Sequence, residues 1–239
     1  MNFVQHILTT ALIATSAASF AQTTIIITTD SSTTPVKSKK YIERVTSDFS
    51  IYAGFNNFSQ SPAGFKGDGG AFSPIGSRFV ALAWQKRIPL AVNGSTKLRL
   101  VTGPEVAWNN FMFEDSDKLV ERNNELIVEA SSVELRKSKF VTTQLNLPVI
   151  LNVSFRSGFT IGMGAYAGIR LDSYTKEKPQ GARAVRTHGA FNLNPVRWGL
   201  TTELGFRGTA KLFGRYEPNS PFRSGQGPDA SVWAVGVKF

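Results

Sequence analysis

Val232-Trp233-Ala234-Val235-Gly236-Val237-Lys238-Phe239 alternates without a break and stops on an aromatic residue. Trp233, Val235, Val237 and Phe239 fall on one face of a strand, and Val232, Ala234, Gly236 and Lys238 on the other, because successive side chains point to opposite sides. A Trp, Val, Val, Phe face needs an apolar surround, and acyl chains supply one. The run predicts the last strand of an all-β protein, an eight-stranded antiparallel up-and-down transmembrane β-barrel, since strands cross lipid only in a closed sheet.

The opposite end of the chain supplies an address. Residues 1–21 contain no Lys, Arg, Asp or Glu, are apolar from Ile7 to Phe20, and end in Ser19-Phe20-Ala21, the small-x-small form of a signal-peptidase site. Export is therefore expected, with residues 22–47 as a flexible, Thr- and Ser-rich periplasmic leader and residues 48–239 as an outer-membrane barrel. No other run approaches the roughly 20 apolar residues of a membrane helix, so any crossing uses strands.

Working back from the C-terminus, period-two alternation recurs seven more times. Apolar residues take one parity, as in Phe49, Ile51, Ala53 and Phe55, in Val80, Leu82 and Trp84, and in Phe159, Ile161, Met163, Ala165, Ala167, Ile169 and Leu171. The links between strands run long at 58–78, 112–139, 173–195 and 217–230, and short between them at 91–96, 155–158 and 207–208. Strict alternation of long and short is the mark of a barrel with tight periplasmic turns and extended outer loops. Pro104 and Pro148 interrupt this scheme, because proline cannot donate to a ladder, and a β-bulge is expected at each.

All four tryptophans fall on the apolar parity. With Phe49, Trp108, Phe159, Trp198, Phe206, Trp233 and Phe239 near strand ends, the outer face is expected to carry aromatic girdles. The other parity collects Arg99, Glu105, Arg170, Asp172, Arg197, Glu203, Lys211, Arg215 and Lys238 among glycines. An eight-stranded barrel has room inside for its own side chains and little else, so these charges are expected to fill the lumen as a structural network. Glu105 and Glu203 are the expected counter-ions for Arg170, Arg215 or Arg99, because an unpaired buried charge is costly.

Several motifs resemble the small outer-membrane β-barrel domain of the Bacteroidetes type, the PorT-like family. They are Leu145-Asn146-Leu147-Pro148-Val149-Ile150-Leu151, Gly162-Met163-Gly164-Ala165-Tyr166-Ala167-Gly168, Asn194-Pro195-Val196-Arg197-Trp198-Gly199-Leu200 and the terminal Phe239, within residues 45–239. The resemblance implies a barrel in the outer membrane and leaves the task open; one branch of the family serves a type IX secretion and gliding machine.

Enzymatic chemistry finds little footing. The chain has no cysteine, and His188 is the one histidine beyond the signal peptide, without a carboxylate close by in sequence. Neither a thiolate metal site nor a tight transition-metal site can be built from that inventory, and no cofactor is expected. The Gly-rich loop around Asp68 lacks phosphate-loop chemistry.

Twenty-seven basic and seventeen acidic residues leave a net charge of +10, which suits polyanions. For an exported chain that means phosphorylated lipid rather than nucleic acid. Seven acids, from Glu114 to Glu134, crowd the second long loop, which is expected to bind divalent cations weakly or to meet a partner. The third long loop is basic, and Arg183, Arg186 and Arg197 are the expected lipopolysaccharide contacts. The expected partners are outer-membrane lipid, the barrel-assembly machinery through the terminal strand, and an unidentified envelope protein. Three functions compete: a non-enzymatic barrel acting through its outer loops, an accessory of a secretion machine acting through residues 22–47, and a soluble lipocalin-like binder, which would need the two faces exchanged.

Overall fold

The structure, a computed structural model, describes residues 43–59, 72–73, 75–123 and 125–239. The expected signal peptide, the leader up to residue 42 and the loop around Asp68 lie outside the described residues.

Among the described residues twelve strands follow one another: β1 Thr46–Phe58, β2 Arg78–Asn93, β3 Thr96–Thr102, β4 Glu105–Met112, β5 Asp117–Arg122, β6 Glu125–Ala130, β7 Leu135–Ser154, β8 Phe159–Pro179, β9 Val185–His188, β10 Val196–Phe206, β11 Lys211–Glu217 and β12 Val232–Lys238. β3 and β4 are consecutive pieces of one stave, each paired with β2 on one side and β7 on the other. From β7 the antiparallel ladder continues through β8, β10, β11 and β12, and β12 pairs with β1. The eight staves thus form a closed ring with neighbours in chain order. Closure leaves no stave with an unpaired edge, which is how a sheet satisfies its backbone without water.

At one end of the ring, the turn end, the staves join through short connections. Gly94, Gly158 and Gly208 there adopt φ of 57°, 87° and 78°, conformations that cost glycine little. At the other, the loop end, β7 and β8 run on far beyond the ring. β9 pairs with β8 above β10, and β5 and β6 form a separate hairpin. The segments expected to be plain loops at 112–139 and 173–195 are therefore largely strand, because their own residues pair across each hairpin.

The alternation sorts the two faces. Leu204 is 43% exposed beside Glu203 at 2%, and Val235 is 48% exposed beside Ala234 at 3%. Ile51, Leu82, Trp84, Leu147, Val149, Met163, Leu200 and Leu212 all face outward, while the centre holds Tyr52, Gln85, Glu105, Asn146, Tyr166 and Arg215. A lipocalin-type lumen requires the reverse, so the soluble binder does not fit.

Three expectations need correction. No bulge forms at Pro104 or Pro148. The pairs Thr102↔Val149 and Glu105↔Asn146 flank a gap of two residues on each stave, so the register runs through unshifted. One shared interruption absorbs both prolines. Gly103 makes it feasible, with φ of 149° and a position where a Cβ would lie 2.0 Å from the Trp84 carbonyl oxygen. The bulges occur elsewhere, at Leu90 on β2, Arg136 on β7 and Leu171 on β8.

The bulge at Leu171 produces the second correction. Thr143 pairs with Asp172 but Gln144 pairs with Arg170, so Leu171 is an extra residue and every side chain beyond it changes face. Asp172 accordingly leaves the inward set, and its carboxylate lies 3.1 Å from His188 Nδ1, with both side chains substantially exposed. The third concerns the start of the barrel: β1 opens at Thr46 rather than residue 48, and Glu43, assigned to the flexible leader, is held against the turn end of the ring.

Candidate functional site

Three layers fill the ring from the turn end to the loop end. At the turn end, Glu43 accepts from Lys97 Nζ at 3.2 Å and from Arg99 Nε at 3.1 Å. Burial by itself would raise the Glu43 pKa, but the hydrogen bonds and charges of Arg99 and Lys97 outweigh it and hold the carboxyl below the ordinary carboxylate range.

The middle layer is a set of three ion pairs. Arg215 donates from both Nη atoms to the two oxygens of Glu105, at 2.6 and 2.5 Å, the paired fork that guanidinium and carboxylate favour. Lys238 donates to Glu203 at 2.9 and 2.8 Å, and Tyr52 adds its hydroxyl to the same carboxylate at 2.7 Å. Arg197 donates to Glu217, which also accepts from the Tyr166 hydroxyl at 2.9 Å. Gln85 and Asn146 complete the layer, bonded to Tyr52, Lys238 and Glu105. Three acids meet three bases, so the layer is neutral. The Arg215 guanidinium also lies 4.9 to 5.1 Å from the ring centres of Tyr52, Phe79 and Tyr166, within cation–π range.

Sequence reasoning gathered Arg99, Glu105, Arg170, Glu203, Lys211 and Arg215 as one network, and the structure distributes them differently. Glu105 meets Arg215. Arg99 turns to Glu43, and Arg170 reaches the loop end, where it donates to Ser173 Oγ at 3.2 Å and to the Ala190 carbonyl. Lys211 is half-buried opposite Gly205 and Lys238. Glu217 was missed because it opens the link expected at 217–230, whereas it closes β11, and Glu43 because it precedes the first alternating run. Arg197 is corrected outright: at 6% exposure inside the ring it cannot reach lipopolysaccharide. Its inward parity, read from the alternation, holds up to the strand end.

The third layer is apolar. Phe58, Phe72, Phe111, Phe113, Phe140, Phe191 and Phe222 converge at the loop end with Leu119, Leu126, Val128, Leu193 and Val232. Ring centres lie 4.5 Å apart for Phe58–Phe111, 4.7 Å for Phe72–Phe113 and 5.4 Å for Phe140–Phe191. Isolated bridges Phe72↔Phe113 and Leu193↔Phe222, formed by members of this cluster, tie neighbouring loops together. These phenylalanines come from all four long connections or their strand ends, which sequence reading took for solvated loops.

On the outside, Phe49, Trp84, Phe159, Phe206 and Phe239 lie towards the turn end, with Phe49 directly across from Trp84 and Phe206 across from Phe159. Trp108, Trp198 and Trp233 lie on the outer face towards the loop end; Trp233 is flanked by Tyr216. Beyond that row, Lys139 pairs across to Lys176, and Lys176 to Arg186. Burial first, then Lys176, Arg186 and Lys137, pushes the Lys139 pKa below the ordinary lysine value. Arg183 is exposed in the β8–β9 connection.

The acidic second loop is partly neutralised by its own hairpin, since Glu129 pairs with Lys118 at 3.1 Å and Arg122 at 2.9 Å. Among the described residues no group of three or more His, Asp or Glu could hold a metal ion. His188 does have a carboxylate, Asp172, supplied through space by the β8–β9 pairing and invisible at a sequence separation of 16. The same pairing sets Tyr174 against it, with ring centres 5.3 Å apart.

No protein-family model matches the chain, and no curated protein does, so the PorT-like resemblance stands on its quoted motifs alone. Among solved structures, the chain is similar to Ail, the attachment invasion locus protein of Yersinia pestis. The identity is 11% over 81% of this chain and 97% of that one, with a TM-score of 0.35.

Proposed function

We propose that this chain is a non-enzymatic outer-membrane β-barrel whose interior is a structural core and whose work is done at its outer surface, by contact with the envelope. The observation that carries the reading is the orientation of all eight staves, with large apolar side chains outward in a continuous belt and the ion pairs inward. Water-soluble monomers rarely leave apolar patches beyond a few hundred Å² exposed, whereas a belt of this kind is what a bilayer covers. The neutral middle layer and the phenylalanine cluster above it leave the interior filled, which supports a plug over a pore.

Fractionation tests the location. The chain should sediment with outer membranes, resist extraction by carbonate, and migrate differently on a gel when boiled and unboiled, as closed barrels do. Recovery in the soluble fraction without a heat-dependent shift would overturn the reading. In planar bilayers the folded protein should give no stepwise conductance.

A further inference from the structure

We propose that the outer wall of β4, β7 and β8, just beyond the aromatic row at the loop end, is a binding site for the phosphorylated headgroup of a saccharolipid in the same leaflet. The inference rests on the outer-membrane reading and names the ligand class that the outer surface takes.

The site is a groove of about 540 Å³, within the range of small-molecule sites. Six of its nine lining residues are basic, Arg78, Arg136, Lys137, Lys139, Lys176 and Lys178, and none is acidic. The cations are aligned by the ladder itself. Met112 pairs with Lys139, Lys139 with Lys176, and Lys176 with Arg186, forming one row across four strands, with Lys137 opposite Lys178 in the next. Like charges placed directly across a ladder repel, so two successive rows of them are unfavourable unless an anion lies between.

The alignment depends on one extra residue. Ile169 faces outward in the apolar belt, and seven residues later, at odd spacing, Lys176 would face inward on a regular strand. The bulge at Leu171 turns Lys176 and Lys178 to the outer face, where Lys137 and Lys139 already lie. Lys139 is further positioned by donating to Asn110 Oδ1 at 3.0 Å. Asn110 is two residues past Trp108, so the groove begins within about 7 Å of the aromatic row along the strand. Headgroup phosphates lie at that depth, and the acyl chains of the same lipid would meet the belt beneath. That continuity of cations and apolar wall selects a membrane-anchored phosphate over a free one.

The test uses the full chain folded into phosphatidylcholine nanodiscs and measures retention of bisphosphorylated lipid A, its dephosphorylated form as control, and competition by millimolar inorganic phosphate. The wild type should retain the bisphosphorylated lipid preferentially, and inorganic phosphate should displace little of it. The K139Q/K176Q double variant should lose about tenfold or more in affinity, while R156Q, exposed in the β7–β8 turn at the opposite end of the ring, should bind as the wild type does. Because the double variant removes a repulsion, it should fold and keep its heat-dependent gel shift; K137Q/K178Q gives an independent second reading.

Equal binding by folded K139Q/K176Q, or equal loss in R156Q, would overturn the site while leaving the barrel reading intact. Full displacement by inorganic phosphate would overturn the lipid as its ligand. Failure of the wild type to fold into bilayers at all would remove the barrel reading and this site together.

Discussion

The middle and the loop end of the ring are both closed to water, by opposite means. The middle does it with charge: three carboxylates and three cations, each buried and each partnered. The loop end does it with phenylalanine rings packed edge and face. A buried ion pair is sensitive to the loss of one partner, because the other is left as an uncompensated charge. An aromatic cluster is sensitive to volume, because the removed ring leaves a cavity that its neighbours fill only in part. The two regions should therefore fail differently.

The largest effect is expected in the middle. Arg215→Ala leaves the buried Glu105 without its guanidinium partner and should cost about 3–5 kcal/mol, read as a lower urea midpoint for loss of the heat-dependent gel shift. Replacing both partners, Glu105→Leu with Arg215→Leu, should cost much less than the sum of the single changes. A double variant as unstable as the sum would show that the pair acts through something besides charge.

At the loop end, Phe140→Ala should cost about 3 kcal/mol and act locally. Hydrogen exchange should quicken in β5, β6 and the far ends of β7 and β8, while amides around Glu105 and Glu203 keep their protection. Quickening spread evenly round the ring would mean that the two layers fold as one.

Gly199→Val probes the join between ring wall and charge layer. A Cβ there would lie 2.7 Å from the Tyr166 hydroxyl, which donates to Glu217. Overpacking at that point should cost about 1–3 kcal/mol, and a midpoint unchanged from wild type would show that Tyr166 is not held by its neighbours.

The smallest effects separate the two rims. Glu43 has its pKa lowered in the folded state, so the stability it contributes is present above the ordinary carboxylate value near 4.5 and fades as pH falls through the lowered folded value. Glu43→Gln should remove about 1 kcal/mol near neutrality and flatten the acid limb of the stability profile. Lys139 behaves in the opposite sense. Its pKa is also lowered, but it is a base, so protonation opposes the fold, and stability should rise as pH climbs towards the ordinary lysine value of 10.5. Lys139→Gln should be at least as stable as wild type near pH 7 and should lose that alkaline gain.

Much of this architecture was legible in advance, and the reasons are local. Alternation is a property of each strand alone, so the outward set from Phe49 to Phe239 and the inward parity of Glu105, Glu203, Arg215 and Lys238 could be read residue by residue. The order of long and short links likewise announced the ring, because hairpin length is written in the chain between two strands. Strand ends were less legible. Glu217 sits one residue past the assigned end of its strand, and Glu43 before the assigned start of the first, although each holds an ion pair.

Partner choice was not legible at all, because it depends on how far each stave slides against the next. Tyr52 finds Glu203 across 151 residues and Arg215 finds Glu105 across 110. Arg170 and Arg99, equally charged and of the same parity, find neither. One inserted residue at Leu171 moved Asp172 out of the lumen and turned Lys176 and Lys178 onto the outer wall beside Lys137 and Lys139. Period and parity belong to the individual strand and are visible in its residues; register, bulges and the meeting of distant loops exist only once the sheet has closed, and those settled which charges pair and where the basic groove lies.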